Sequence, residues 1–131
     1  MMKRNLQTSA LLMRIFGWGL VPSLFAFMFI YPHGFAWGIE QGTEWHPYVW
    51  MMVALYAAWA YLMAREAKNP AGAGLLFDWG IVSSIFHGLV MIVQTFMMWE
   101  HEMPHLWADI PLLFVIALVL WWYHPNRVAV E

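Results

Sequence analysis

Charged residues along this chain fall in clusters that are separated by long uncharged stretches. The uncharged stretches are residues 15–39, 45–64, 79–99 and 110–126, with lengths of 25, 20, 21 and 17 residues. An α-helix rises about 1.5 Å per residue, so about 20 residues cross the roughly 30 Å hydrocarbon layer of a bilayer. We therefore predict four transmembrane helices in a single membrane domain of residues 1–131, at about 10–31, 47–64, 75–99 and 106–123.

The composition indicates that these helices lie in a lipid bilayer. Apolar residues form 63% of the chain and charged residues 11%, whereas soluble domains carry about 25% charged residues. Strands are not expected, because lipid does not tolerate an open sheet edge. The predicted fold is an all-α membrane protein, a four-transmembrane-helix up-down bundle whose partner is the lipid bilayer.

The cysteine content and the net charge exclude several kinds of site and partner. The chain has no cysteine, which excludes disulfides, thiolate metal sites and thiol redox chemistry. Its formal net charge of -2 indicates no nucleic-acid partner.

The six basic residues all fall on one side of the predicted bundle. They are Lys3, Arg4, Arg14, Arg65, Lys68 and Arg127. The other side carries no basic residue; its acidic residues are Glu40, Glu44, Glu100, Glu102 and Asp109. Because basic residues concentrate in cytoplasmic segments, both termini are expected to be cytoplasmic.

The first helix lacks a small-x-small cleavage site, so we expect it to be retained rather than removed as a signal peptide.

The chain also resembles itself at an offset of 61 residues. Residues 16–25 and 77–86 share six of ten positions. We interpret the chain as two related helical hairpins, which would be parallel repeats because the first and third helices start on the same side. Small residues four apart in each repeat are expected to let helix backbones approach closely; they are Gly19 and Ser23, and Gly80 and Ser84.

The third predicted helix carries one polar stripe. At 100° per residue the following side chains share a face: Gly80, Ser83, Ser84, His87, Met91, Gln94 and Met98. A histidine or glutamine in lipid must find a partner, so this face is expected to look into the bundle or across an oligomer interface. His87, Met91 and Gln94 are the candidate cofactor-binding residues. Two interpretations of His87 stay open: a proton-transfer group, haem ligand or substrate contact, or a neutral side chain whose hydrogen bond fixes helix register.

Histidines and carboxylates gather in the predicted outer segments. His101 and His105 are four residues apart and would face one metal ion on a helix, and Asp109 follows four residues later. His101, His105 and Asp109 are therefore the candidate metal ligands, and imidazole with carboxylate suits zinc, copper or iron. The alternative is a hydrated outer surface without a metal, because Pro104 interrupts a regular helix and Asp109 suits a helix N-terminus.

The run from Asp78 to Gln94, followed by His105 and the segment Asp109-Ile110-Pro111, resembles a family of small uncharacterised bacterial membrane proteins with four helices. The resemblance covers nearly the whole chain. It implies the four-helix fold and a bacterial inner-membrane location. It also implies a polar signature formed by His87, Gln94, His105 and Asp109, and it implies no activity.

Three functions are compatible with these patterns, and no catalytic set is apparent. The first is a non-enzymatic accessory or oligomeric membrane component, either a homo-oligomer or part of a larger complex. The second is a membrane redox protein that binds haem or a divalent metal through His87 or the outer histidines, although the sequence requires no cofactor. The third is a small proton- or solute-transport subunit with a path along His87 and Gln94.

Overall fold

The computed structural model describes residues 5–35 and 47–128, which are helical over most of their length and contain no β-strand. The α-helices are α1 (Leu6–Ile30), α2 (Pro32–Phe35), α3 (Pro47–Glu66), α4 (Gly74–Met97), α5 (Trp99–Glu102) and α6 (Asp109–Trp122). Short 3-10 turns cover Pro70–Gly72, Met103–Trp107 and Pro125–Arg127. The all-α prediction is confirmed for these residues. Lys3, Arg4, Glu40 and Glu44, which entered the orientation argument, lie outside them.

Three helical segments are long and apolar enough to cross a membrane by length and composition. They are Leu6–Ile30, Gly74–Met97 and Met103–Trp122, the last combining a 3-10 turn with α6. The chain is therefore compatible with a membrane protein. The remaining predicted crossing corresponds to α3, a helix of 20 residues, and its passage through the bilayer stays a prediction.

The first helix begins earlier than the predicted residue 10 because Asn5 caps it. The Asn5 side chain accepts a hydrogen bond from the Thr8 N–H at 3.0 Å, and the Thr8 hydroxyl accepts one from the Asn5 N–H at 3.0 Å. This reciprocal pair satisfies two backbone donors at the helix start. The helix ends at Ile30, since Pro32 disfavours a helical conformation at Tyr31.

The long helices pair as two antiparallel hairpins. α1 packs mainly on α3, and α4 packs mainly on α6. In the first hairpin, Gly17 lies against Ala64 near one end and Met28 against Val53 near the other. In the second hairpin Gly88 lies against the Phe114 ring. The hairpin pairing agrees with the up-down topology, while a common origin of the two hairpins stays a prediction.

One of the predicted small-residue contacts is wrong. A Cβ added at Gly19 would meet nothing within 4 Å, whereas one at Gly17 would lie 2.6 Å from the Cβ of Ala64. Gly17 therefore allows α1 to approach α3, and Gly19 faces open space. Gly80 does sit in a close contact, 2.5 Å from the Trp59 ring by the same measure.

The two hairpins are tied together at the end where α1 begins and α6 ends. A buried core cluster there draws on all four long helices and on the α3–α4 connection: Met13, Trp59, Met63, Ala67, Ala73, Phe77 and Leu120. The Ser9 hydroxyl donates to the carbonyl of Tyr123 at 2.8 Å. The Trp59 indole N–H donates to the carbonyl of Leu76 at 3.0 Å. This end, which carries Arg14, Arg65, Lys68 and Arg127, is called the basic end below.

The opposite end is tied by α2, which packs on the Met103–Trp107 turn. Gly34 makes this possible, because a Cβ at that position would lie 2.6 Å from the Cβ of Ala108. Glu100, Glu102 and Asp109 lie at this acidic end.

Asp78, near the start of α4, lies beside a buried histidine. Asp78 Oδ1 lies 3.2 Å from Nε2 of the buried His124. The Nδ1 of His124 accepts a hydrogen bond from the Asn126 N–H, so in a neutral ring the proton is on Nε2. Nε2 lies close to Asp78 but forms no hydrogen bond within the described residues. Arg65 pairs with its neighbour Glu66 at 2.7 Å.

Candidate functional site

A cavity of about 810 Å³ lies between the two hairpins, on the acidic side of the core cluster. Its walls come from all four long helices, and most of its lining is apolar. Ile15 of α1 and Val90 of α4 line the cavity although their side chains are 56% and 53% exposed. The cavity is therefore open along α1 and α4 rather than sealed from its surroundings.

The polar stripe of α4 forms one wall of this cavity. All seven of its members line it: Gly80, Ser83, Ser84, His87, Met91, Gln94 and Met98. Seven residues are close to two full helical turns, so His87 and Gln94 lie on the same face of α4. Met91 lies between them and is buried. The stripe thus looks into the bundle, which was one of the two orientations expected for it.

Tyr56 of α3 is the partner that His87 lacked in the sequence. Its hydroxyl oxygen lies 2.5 Å from Nδ1 of His87, and the two rings are nearly parallel, with an interplanar angle of 16°. Either the hydroxyl donates to Nδ1, with the imidazole proton on Nε2, or Nδ1–H donates to the hydroxyl and Nε2 is an acceptor. In both tautomers Nε2 is the nitrogen left for a further partner.

Two polar groups of this wall have no protein partner within the described part of the chain. The Nε2 of His87 forms no hydrogen bond there, and neither does the side-chain amide of Gln94. Gln94 is exposed as well as cavity-lining. Unsatisfied polar groups in a hydrocarbon environment are expensive. The cavity therefore offers hydrogen bonds that the described protein does not itself use.

A buried histidine organises the acidic end of the cavity. His105 is 1% exposed; its Nδ1 lies 2.9 Å from both carboxylate oxygens of Asp109, and its Nε2 lies 3.1 Å from Oε2 of Glu102. A doubly protonated ring donates to both carboxylates, whereas a neutral ring has only one N–H to donate. Glu102 and Asp109 both line the cavity. His105 thus holds two carboxylates at the cavity's acidic end.

The predicted metal set is only partly brought together. His105 and Asp109 are in direct contact. The backbone of His101 is described within α5, but its side chain is not. Among the side chains that are described, no group of three or more histidines and carboxylates is arranged to hold a metal ion. A site formed by His101, His105 and Asp109 stays a prediction.

Sequence reasoning missed Tyr56 as a site residue. Tyr56 lies in the second uncharged stretch, on a predicted helix in which no candidate site residue was named. Only the pairing of α3 with α4 at this level shows that its hydroxyl meets His87. The signal available in the sequence was a hydroxyl group on another predicted helix at the same depth as His87.

Comparison with known proteins gives a family but no activity. Residues 6–124 match a model described as a family of unknown function, DUF6632. No curated protein and no solved structure matches the chain.

Proposed function

We propose that this chain, which belongs to the DUF6632 family of unknown function, is a non-enzymatic membrane component that binds a small membrane-soluble molecule between its hairpins. The proposed binding residues are His87, Met91 and Gln94, with Tyr56 orienting His87. One observation carries the proposal: His87 and Gln94 line a large apolar cavity, and neither His87 Nε2 nor the Gln94 amide has a protein partner in the described chain.

The size and chemistry of the cavity support this proposal. Small-molecule sites enclose about 300–1,000 Å³ and combine an apolar lining with a few polar groups that fix orientation. The 810 Å³ cavity has this composition. A bound molecule would satisfy the polar groups of α4 and bury apolar surface at the same time.

The shape of the cavity favours binding over passage through the protein. The core cluster around Phe77 and Leu120 fills the basic end, so the described packing leaves no continuous path to that end. The open side along α1 and α4 faces the surrounding lipid if both helices cross the bilayer. A molecule dissolved in the membrane therefore has direct access.

We extend the proposal to the topology. α3 pairs along its length with α1, a helix that is long and apolar enough to cross. The described lysines and arginines all lie at one end, and the other end carries Glu100, Glu102 and Asp109. These observations support four crossings with both termini cytoplasmic. The resemblance found in the sequence supports a bacterial inner membrane.

A haem protein is the second candidate, and one contact favours it. A histidine that ligates a metal through one ring nitrogen donates its other N–H to an orienting partner. The Tyr56 hydroxyl occupies that position on Nδ1 of His87. The absorption spectrum of the purified protein separates the two candidates, because haem gives a Soret band.

The test compares wild-type protein with a variant whose cavity is filled. Gly19 lines the cavity and a side chain there meets no clash at its Cβ, so Gly19→Trp should fill the cavity without moving the helices. Leu118→Trp is the matched control, since Leu118 is 60% exposed and lies away from the cavity. Native mass spectrometry of each protein, purified in mild detergent, reports any small molecule that remains bound.

We expect wild type and Leu118→Trp to retain a bound molecule that Gly19→Trp loses, while all three proteins unfold at similar temperatures. Absence of any retained molecule in the wild type, or equal retention by the filled variant, would overturn the proposal.

A further inference from the structure

We infer that the molecule bound in the inter-hairpin cavity is a neutral, planar ring with oxygen atoms on opposite sides, as in a quinone. This inference rests on the proposed function and specifies its ligand class. It starts from the charges that border the cavity and continues with the spacing of the unpaired polar groups.

The charges around the cavity disfavour an anionic ligand. No lysine or arginine is among the described residues that line it, and the carboxyl groups at its acidic end belong to Glu102 and Asp109. Fatty acids and phospholipid phosphates would place a negative charge near these carboxylates without a cation to balance it. The two carboxylates are themselves engaged with His105, so the unpaired hydrogen-bonding groups available deeper in the cavity are neutral.

The backbone positions of the two residues along α4 are compatible with a ring that carries oxygens on opposite sides. His87 and Gln94 share one face of α4, seven residues apart, which corresponds to a rise of about 10.5 Å. Oxygens on opposite sides of a six-membered ring lie about 5 Å apart, and a hydrogen bond of about 2.8 Å at each end gives a span of about 11 Å. One ring can therefore meet the Nε2 of His87 at one side and the Gln94 amide at the other.

The groups around this span suit a flat ring. Met91, between the two polar residues, lines the cavity, is 2% exposed and carries a polarisable thioether. Phe27 and Trp59 line other parts of the cavity, and aromatic side chains pack favourably on planar rings. Gly19 leaves room on the α1 side, because no side chain extends from it. The open side along α1 and α4 lets an apolar tail continue into lipid.

Three probes of nearly the same shape test the inference on the wild-type protein. They are para-naphthoquinone, with oxygens across the ring; ortho-naphthoquinone, with adjacent oxygens; and naphthalene, with none. Endogenous molecules are first removed by detergent washing, and probe binding is then measured by quenching of tryptophan fluorescence. In a second measurement each probe competes with a membrane extract that supplies the retained molecule again. Since the chain has no cysteine, thiol adducts do not contribute to the signal.

We expect the para isomer to bind at least tenfold more tightly than the ortho isomer or naphthalene. Gln94→Met keeps side-chain length but removes the amide, and His87→Phe keeps a planar ring but removes Nε2. Each should weaken binding of the para isomer about tenfold, as the loss of one buried hydrogen bond predicts. Val93→Leu is the matched control on α4, outside the cavity lining, and should leave the affinity unchanged.

The outcomes separate the ligand class from the proposed function. Equal affinities for the three probes, or no effect of Gln94→Met and His87→Phe, overturn the quinone inference. If oleate or tetraphenylphosphonium binds in competition with the retained molecule and para-naphthoquinone does not, the cavity still binds a membrane-soluble molecule of another class. If the wild type retains nothing, the proposed function fails as well, whichever probe binds.

Discussion

At the scale of single residues, two glycines of α1 have different roles because they occupy different positions in the bundle. Gly17 and Gly19 are two residues apart on α1, yet one touches α3 and the other borders the cavity. The difference follows from helix geometry, because residues two apart point about 200° away from each other. Only Gly17 is therefore constrained by packing.

We predict opposite effects of alanine at these two glycines. Gly17→Ala should lower the free energy of unfolding by about 1–3 kcal/mol, because the new Cβ would overlap backbone atoms of Ala64 and force α1 away from α3. Gly19→Ala should be neutral or stabilising by about 0.5–1 kcal/mol, because alanine restricts the unfolded chain without a clash. Unfolding in mixed detergent micelles, followed by circular dichroism, measures both. Similar losses in the two variants would contradict the packing of α1 on α3 through Gly17.

At the scale of elements, His105 is the main polar connection at the acidic end. It lies in the turn between α5 and α6 and contacts one carboxylate from each. The sequence suggested a metal for this segment or a simple cap for Asp109; the structure turns the Asp109 carboxylate toward His105 instead. His105 is 1% exposed, whereas the Glu102 and Asp109 side chains are 15% and 16% exposed, so the histidine is the most deeply buried member of the group.

We predict that His105→Leu lowers the free energy of unfolding by about 2–3 kcal/mol, since it leaves two partly buried carboxylates without their partner. Adding Asp109→Leu should recover part of this loss, because one of the unpaired carboxylates is removed with it. A double-mutant cycle in detergent measures the coupling between the two side chains. If the two losses simply add, His105 and Asp109 do not interact energetically and the described contact is wrong.

At the scale of the whole molecule, two hairpins are joined at both ends and separated in the middle. The core cluster closes the basic end, and the packing of α2 on the Met103–Trp107 turn closes the acidic end. Between them the hairpins leave the cavity, into which the polar stripe of α4 points. From the charge asymmetry of the two ends we predict that the basic end faces the cytoplasm.

The absence of cysteine makes the predicted topology directly measurable. Single cysteines at Gly42, Lys68 and Glu100 would be the only thiols in the chain. We expect a membrane-impermeant maleimide to label Gly42→Cys and Glu100→Cys in intact spheroplasts, and Lys68→Cys only after lysis. Because α3 lies between Gly42 and Lys68, labelling of both from the same side would show that α3 does not cross.

The spacing of charged residues by itself determined that this chain is helical and suited to a membrane. A long uncharged run must satisfy its backbone hydrogen bonds internally, and only a helix does so within one segment. The helical period likewise places His87, Met91 and Gln94 on one face, because that period is a local property of the chain.

The contacts of Tyr56 with His87, of His105 with two carboxylates and of Gly17 with Ala64 were decided by tertiary structure. They join different helices, or depend on how a turn folds, and the rotation and depth of one helix against another come from packing that no single segment encodes. The cavity was also decided by tertiary structure, since it is the space that two well-packed hairpins leave between them.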